Sequence, residues 1–257
     1  MLCAPRIAPA SAAALLAALL TACATAPAAG PGQERYAALV AAPDRIPEDR
    51  ARDAGRKPVE LLAFLQVAPG QRVAEIGAAD GYTAELLARA VAPGGTVWAQ
   101  NTKTLNIFVG AAWPDRLARP AMKNVVRVDR DFEDPLPPEA TGLDLVVMNA
   151  IFHDTIWLRV DRPRMLRAIH AALRPGGAFV VIDSTARPGG HENAPYDLHR
   201  VEESWVRREV EAAGFRLAAE GGFLRNPADT LDWIAAPNEA GEKRGTSDRF
   251  VHRWVKP

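Results

Sequence analysis

The sequence predicts an α/β domain with a mostly parallel sheet and helices on both faces. Two observations carry that prediction. From Gly55 onward the apolar residues switch repeatedly between the spacing of a strand and the spacing of a helix. In addition, Ala178 to Asp183 is almost continuously apolar, as a strand must be when both faces of its sheet are covered. With 48% apolar residues in 257, the chain can bury a sizeable core, and it shows neither an internal repeat nor a second core.

The elements follow in order. Lys57 to Val67 has apolar residues at helical spacing behind Pro58, a favoured first-turn residue, and Ala68-Pro69-Gly70 stops it. Arg72 to Gly77 reads as a short strand and Tyr82 to Val91 as an amphipathic helix. Pro93-Gly94-Gly95 makes a turn into a second strand, Thr96 to Gln100. Val125 to Asp129 and Leu143 to Asn149 are the third and fourth strands, separated by a Pro-rich loop. A helix from Arg162 to Leu173 ends at Arg174-Pro175-Gly176-Gly177, ahead of the apolar strand Ala178 to Asp183. Leu198 to Ala213 reads as a helix closed by Gly214, and Phe215 to Phe223 and Phe250 to Val255 as two late strands.

The charge is balanced, with 31 Lys+Arg against 31 Asp+Glu. No nucleic-acid partner is expected, because neutralising phosphates needs a basic surplus. Cys3 and Cys23 are the two cysteines, so everything after residue 23 is thiol-free. That part can hold no disulfide, no Cys nucleophile and no Cys-based zinc site. Arg6 precedes an apolar run from Ala12 to Leu20, too short to span a bilayer, which needs about 20 apolar residues. This is the pattern of a secretory signal. Its end, Leu20-Thr21-Ala22-Cys23, resembles the bacterial lipoprotein signal, in which cleavage precedes a lipid-modified cysteine. The resemblance implies a signal peptide over residues 1–22, then lipidated Cys23 and a flexible tether over 23–45, then one domain over 46–257. It also implies a periplasm-facing protein of the cell envelope, held to the membrane through its N-terminal lipid.

The first strand runs into Glu75-Ile-Gly77-Ala-Ala79-Asp-Gly81-Tyr82. A small-residue loop between strand and helix lets a ligand approach the backbone, with free N–H groups at the helix N-terminus. A dinucleotide fingerprint would need glycines where Ala79 and Tyr82 stand, and the Gly-Lys-Ser/Thr ending of a P-loop is absent. What remains is an acid-x-Gly-x-small-x-Gly loop. It resembles the first motif of class I methyltransferases, which bind S-adenosyl-L-methionine (AdoMet). The two Pro-Gly-Gly turns and the stretch Leu145-Val-Val-Met-Asn149-Ala-Ile-Phe-His153 are similar to that family in order and place. Further segments, among them Arg50 to Pro58, Phe152-His153-Asp154, Leu198 to Val201, Leu224 to Pro227 and Asp248 to Pro257, resemble a family of bacterial methyltransferases that are often exported.

The resemblance implies a Rossmann-like class I methyltransferase sheet whose late C-terminal strand runs antiparallel. It places Glu75, Gly77, Ala79 and Gly81 around the methionine end of AdoMet, with Glu75 attracting the ammonium. Gln100 and Asn101 occupy the tip of the second strand, where the family carries an acid that grips the ribose, and an amide can also bond a diol. Asp131 and Phe132 fall where the family contacts adenine, and Asn149 lies at the edge of the fourth strand beside the cofactor. His153 and Asp154 follow at the mouth where a methyl group is transferred. His153 is either a general base, its pKa lying close to neutrality, or a residue that packs beside the cofactor. His199 and Arg200, expected to open the last helix, either bind an anionic group of the substrate or cap local structure. No metal is expected, because His191, Glu192 and His199 have no fixed ligand spacing. The expected activity is methyl transfer to a small-molecule or lipid-like acceptor. The competing expectation is a non-catalytic envelope lipoprotein that uses the same fold to bind a different small ligand.

Overall fold

The computed structural model describes Met1, residues 31–189 and residues 193–257. Cys23, the expected signal and tether up to residue 30, and the pair His191 and Glu192 lie outside the described residues. The elements run α1 (Pro31–Val40), α2 (Pro47–Arg56), α3 (Pro58–Leu65), β1 (Arg72–Ile76), α4 (Tyr82–Val91) and β2 (Thr96–Asn101). They continue with α5 (Lys103–Val109), α6 (Ala112–Leu117), β3 (Val125–Asp129), β4 (Leu143–Asn149), α7 (Phe152–Trp157) and α8 (Arg162–Ala172). The chain closes with β5 (Leu173–Ser184), α9 (Ala194–Leu198), α10 (Glu203–Ala212), β6 (Arg216–Gly221) and β7 (Arg249–Val255).

The seven strands form one sheet in the order β3-β2-β1-β4-β5-β7-β6. β3, β2, β1, β4 and β5 are parallel, whereas β7 runs antiparallel to both β5 and β6. Alternation along each strand divides the apolar side chains between two faces. Val73, Leu145, Val147 and Val180 pack under α1, α3 and α4. Ala74, Ile76, Val146, Met148 and Phe179 pack with residues of α7, α8 and α10. Both faces are therefore covered, which is why the central strands read as apolar runs. The strand order reverses between β1 and β4, and parallel sheets bind ligands in the crevice outside the strand ends at such a point.

Three expectations are corrected. Residues 31–45, assigned to the tether, begin with helix α1, which opens on Pro31 and docks on the domain. The hydroxyl of buried Tyr36 donates to the Val67 carbonyl oxygen at 2.7 Å. The helix expected over 198–213 begins only at Glu203: Leu198 ends α9, and His199 to Glu202 link α9 to α10. His199 takes φ 49°, and Val201 pairs in parallel with Thr185 just beyond β5. That backbone pairing is a long-range event which helical periodicity cannot register. Arg174 to Gly177, expected as a turn, forms the start of β5, with a register shift against β4 and Gly176 at φ 73°.

Candidate active site

A cavity of about 1130 Å³ opens at the C-terminal ends of β1 and β4. Its floor is the loop between β1 and α4. Gly77 and Gly81 sit at φ 71° and 84°, a region that glycine enters without steric cost. A Cβ at Gly77 would stand 2.4 Å from Ile151 Cγ1, and one at Gly81 would stand 2.5 Å from the Trp113 ring. Both positions thus need glycine for packing as well as for backbone shape. Ala79 also takes a positive φ, 51°, which in a non-glycine residue stores about 1 kcal/mol or more of strain. Helix α4 starts without a side-chain cap, so backbone N–H groups at its N-terminus remain available.

Glu75 is the most unusual group on that floor. Its side chain is buried and its Oε2 has no hydrogen-bond partner among the described residues. Burial pushes its pKa up to about 8, against the opposing pull of the Thr83 hydroxyl and Arg56. A buried carboxyl with an unpartnered oxygen facing a cavity is suited to a cationic ligand group, which would restore its charge.

Several sequence assignments change here. Gln100 does not line the cavity: its Oε1 accepts from the Gly77 N–H at 3.0 Å and its Nε2 donates to the Arg130 carbonyl at 2.6 Å. Asn101 grips Ala79 from both sides, accepting from its N–H at 2.8 Å and donating to its carbonyl at 3.0 Å. Both amides are consumed in holding the loop, so neither is free for a ribose. The positive φ of Ala79 is what presents its N–H and C=O together to one amide. Asp131 is exposed and faces a separate polar depression with Arg130 and Arg164. Phe132 is buried and does line the cavity. Asn149 lines it too and donates to Thr83 Oγ1 at 3.1 Å.

At the other end stand His153, Asp154 and His199, all lining the cavity. Helix α7 begins at Phe152, and Asp183 at the end of β5 clamps that beginning. Asp183 Oδ2 accepts from the His153 backbone N–H at 3.0 Å and Oδ1 pairs with His153 Nδ1 at 2.8 Å. His153 Nε2 faces His199 Nδ1 at 3.2 Å and Asp154 Oδ1 at 3.3 Å. Burial opposes a charge on His153, but the Asp183 and Asp154 carboxylates outweigh it and raise its pKa to about 9. His199 moves the other way, held down by burial and by its neighbour His153. At neutral pH the pair therefore holds one positive charge, on His153, which is not poised to take another proton.

Arg200, expected to meet substrate, is fully buried elsewhere. It pairs with Asp229 at 2.8 Å, donates to the Thr185 and Trp233 carbonyls at 3.0 Å each, and lies over the Trp233 ring. Sequence reasoning missed Asp183, for which an acid ending an apolar strand was the available signal. It also missed Arg56, which lies near Glu75, and Arg249, which lies near Arg56; both line the cavity. Burial lowers the pKa of both, that of Arg249 to about 10, so each carries an incompletely compensated charge. Beneath the loop, buried Arg116 bonds Asp49 at 2.6 Å, Glu85 at 2.8 Å and the Asp80 carbonyl at 2.5 Å, fixing the turn from below.

The chain has the class I SAM-dependent methyltransferase fold. A SAM-dependent methyltransferase from Aquifex aeolicus superposes with a TM-score of 0.56 at 16% identity, covering 77% of this chain and 88% of that one. The [4+2]-cyclase SpnF superposes equally well, with a TM-score of 0.56 at 16% identity, covering 81% of this chain and 80% of that one. One architecture therefore carries different chemistries, and the reaction has to be argued from the site. No family model matches the chain. In sequence, acetylserotonin O-methyltransferase of Mus musculus molossinus is 29% identical over 170 residues, which is 64% of this chain and 42% of that protein. The chain thus spans less than half the length of that relative.

Proposed function

We propose that this chain transfers a methyl group from AdoMet to a small-molecule acceptor. The observation that carries the reading is a single cavity with a buried, unpartnered carboxyl oxygen on Glu75 at one end and the His153–His199 pair at the other. AdoMet supplies an already activated sulfonium methyl, so the protein has chiefly to position donor and acceptor. The chain's own groups suit the amino-acid end of that molecule. Glu75 takes the ammonium, and Arg56 and Arg249 balance the carboxylate. The α4 N-terminus and Phe132 line the rest of the same floor. The similarity to an O-methyltransferase supports an oxygen acceptor.

At the opposite end, His153 and His199 orient the acceptor's heteroatom. Trp157, Leu158 and Phe108 are exposed and line the cavity, giving its mouth an apolar rim that fits an aromatic or lipid-like acceptor. Titration calorimetry with AdoMet and with S-adenosylhomocysteine tests the reading. Saturable binding of both, lost in Glu75→Ala, is expected; failure of folded wild-type protein to bind either would overturn it. Lipidation at Cys23, and with it attachment to the periplasmic face of an envelope membrane, is part of the same proposal. Its support is the Leu20-Thr21-Ala22-Cys23 sequence behind an apolar run. Among the described residues no helix is long and apolar enough to cross a membrane.

A further inference from the structure

His153 Nε2, His199 Nδ1 and Asp154 Oδ1 converge on one point at the cavity wall. Their mutual separations are 3.2, 3.3 and 3.9 Å. Around a tetrahedral ion with bonds of about 2.0–2.1 Å, ligand atoms stand about 3.3 Å apart, so two of the three distances already match and the third is slightly long. We propose that these three side chains form a binding site for a divalent transition-metal ion of the zinc type, with its remaining position open to the cavity.

The surroundings of the three side chains support this. Asp183 takes the Nδ1 side of His153, which turns Nε2 toward the shared point, where a bound ion would displace the proton that Nε2 carries in the metal-free protein. A carboxylate behind a ligating histidine is the usual outer support of such sites. Trp157 Nε1 donates to Asp154 Oδ1 at 2.8 Å and fixes that carboxylate, leaving the oxygen a further lone pair. The backbone of His199 is held in the αL turn that closes α9. Two imidazoles and one carboxylate favour a borderline ion such as zinc over magnesium or calcium, which prefer all-oxygen shells. The sequence offers no ligand spacing to read, because His153 and His199 are 46 positions apart and meet only through the fold.

The site's placement at the acceptor end, which rests on the methyl-transfer reading, assigns a hydroxyl-bearing acceptor whose oxygen takes the open position. The test uses the full chain, stripped with chelator and titrated with Zn2+ by calorimetry, with metal content checked by mass spectrometry. About one ion per chain is expected. His199→Ala and Asp154→Asn should each abolish stoichiometric binding, and Asp183→Asn should weaken it about 10–100-fold. Circular dichroism checks that each variant is folded. A wild-type chain that takes up no stoichiometric zinc, or folded variants that bind as tightly as wild type, would overturn the site. AdoMet calorimetry in excess chelator is run in parallel. AdoMet binding without zinc binding defeats this inference alone, whereas zinc binding without AdoMet binding defeats the methyl-transfer reading and leaves the metal site standing.

Discussion

Replacing Glu75 by Gln should strengthen the fold and weaken the function, and the structure sets both magnitudes. In the unfolded chain this carboxyl ionises near 4.5, while in the folded protein burial holds it protonated up to about 8. The sign follows from linkage. A carboxyl whose folded pKa is raised favours the fold fully below 4.5, and that stability is lost as pH climbs from 4.5 to 8. At pH 7 the loss amounts to about 3 kcal/mol, which a neutral amide facing the cavity would not incur. Urea unfolding of the ligand-free proteins should therefore show Glu75→Gln more stable by up to about 3 kcal/mol at pH 7, with the gap shrinking toward pH 5. The same variant loses a charge-assisted bond to the ligand's ammonium, worth about 1.5–3 kcal/mol, so its AdoMet affinity should fall by roughly 10–150-fold. A variant that is less stable at both pH values, or that binds AdoMet as tightly as wild type, would refute the argument that Glu75 is a desolvated carboxyl reserved for a cation.

Four further outcomes are expected. Asn101→Ala removes both bonds to the Ala79 backbone and leaves that strained turn unsupported, which should cost about 1–3 kcal/mol in urea unfolding and weaken AdoMet binding in calorimetry. Arg116→Ala removes the cation that buried Asp49 and Glu85 share and leaves them to Arg52 and Arg89, so a loss of about 1–3 kcal/mol should appear in thermal or urea unfolding. In the metal-free protein, nitrogen-15 spectra of the His153 ring should show an imidazolium at pH 7 and the neutral form only above about 9. Cys23→Ser should release the protein from membranes or leave its leader uncleaved, read by fractionation and by the mass of the mature chain, since a lipid supplies apolar area that the balanced charge of the body lacks.

The backbone architecture was legible because its signals are local. Continuous apolar runs marked β1 and β4, and helical apolar spacing marked α4, within a residue, since burial on both sheet faces and under a helix forces those patterns onto the chain. The Gly77–Gly81 loop was legible for a related reason: a positive φ at two positions selects glycine wherever the rest of the molecule lies. Short helices such as α5, α6 and α9 left too few turns to establish a period, so they emerged only in the folded molecule.

Residue types alone determined that this is an α/β chain with a glycine-bearing turn after its first strand and a histidine beyond its fourth. Which side chains face the cavity was decided by tertiary structure. Gln100 and Asn101 carry polar groups in a plausible place, yet the amides close on the Gly77 and Ala79 backbone because that backbone, once folded, offers them better-aligned partners. Arg200 follows its charge to Asp229, and only the turn at His199, set by the pairing of Val201 with Thr185, separates these neighbours into a buried brace and a cavity residue. Asp183, His153 and His199 come together across the sheet end by the same kind of long-range contact. A sequence specifies how each segment bends and which face it hides, but hydrogen-bond satisfaction inside a closed fold is settled among groups far apart in the chain, and that is where the roles of the polar residues were assigned.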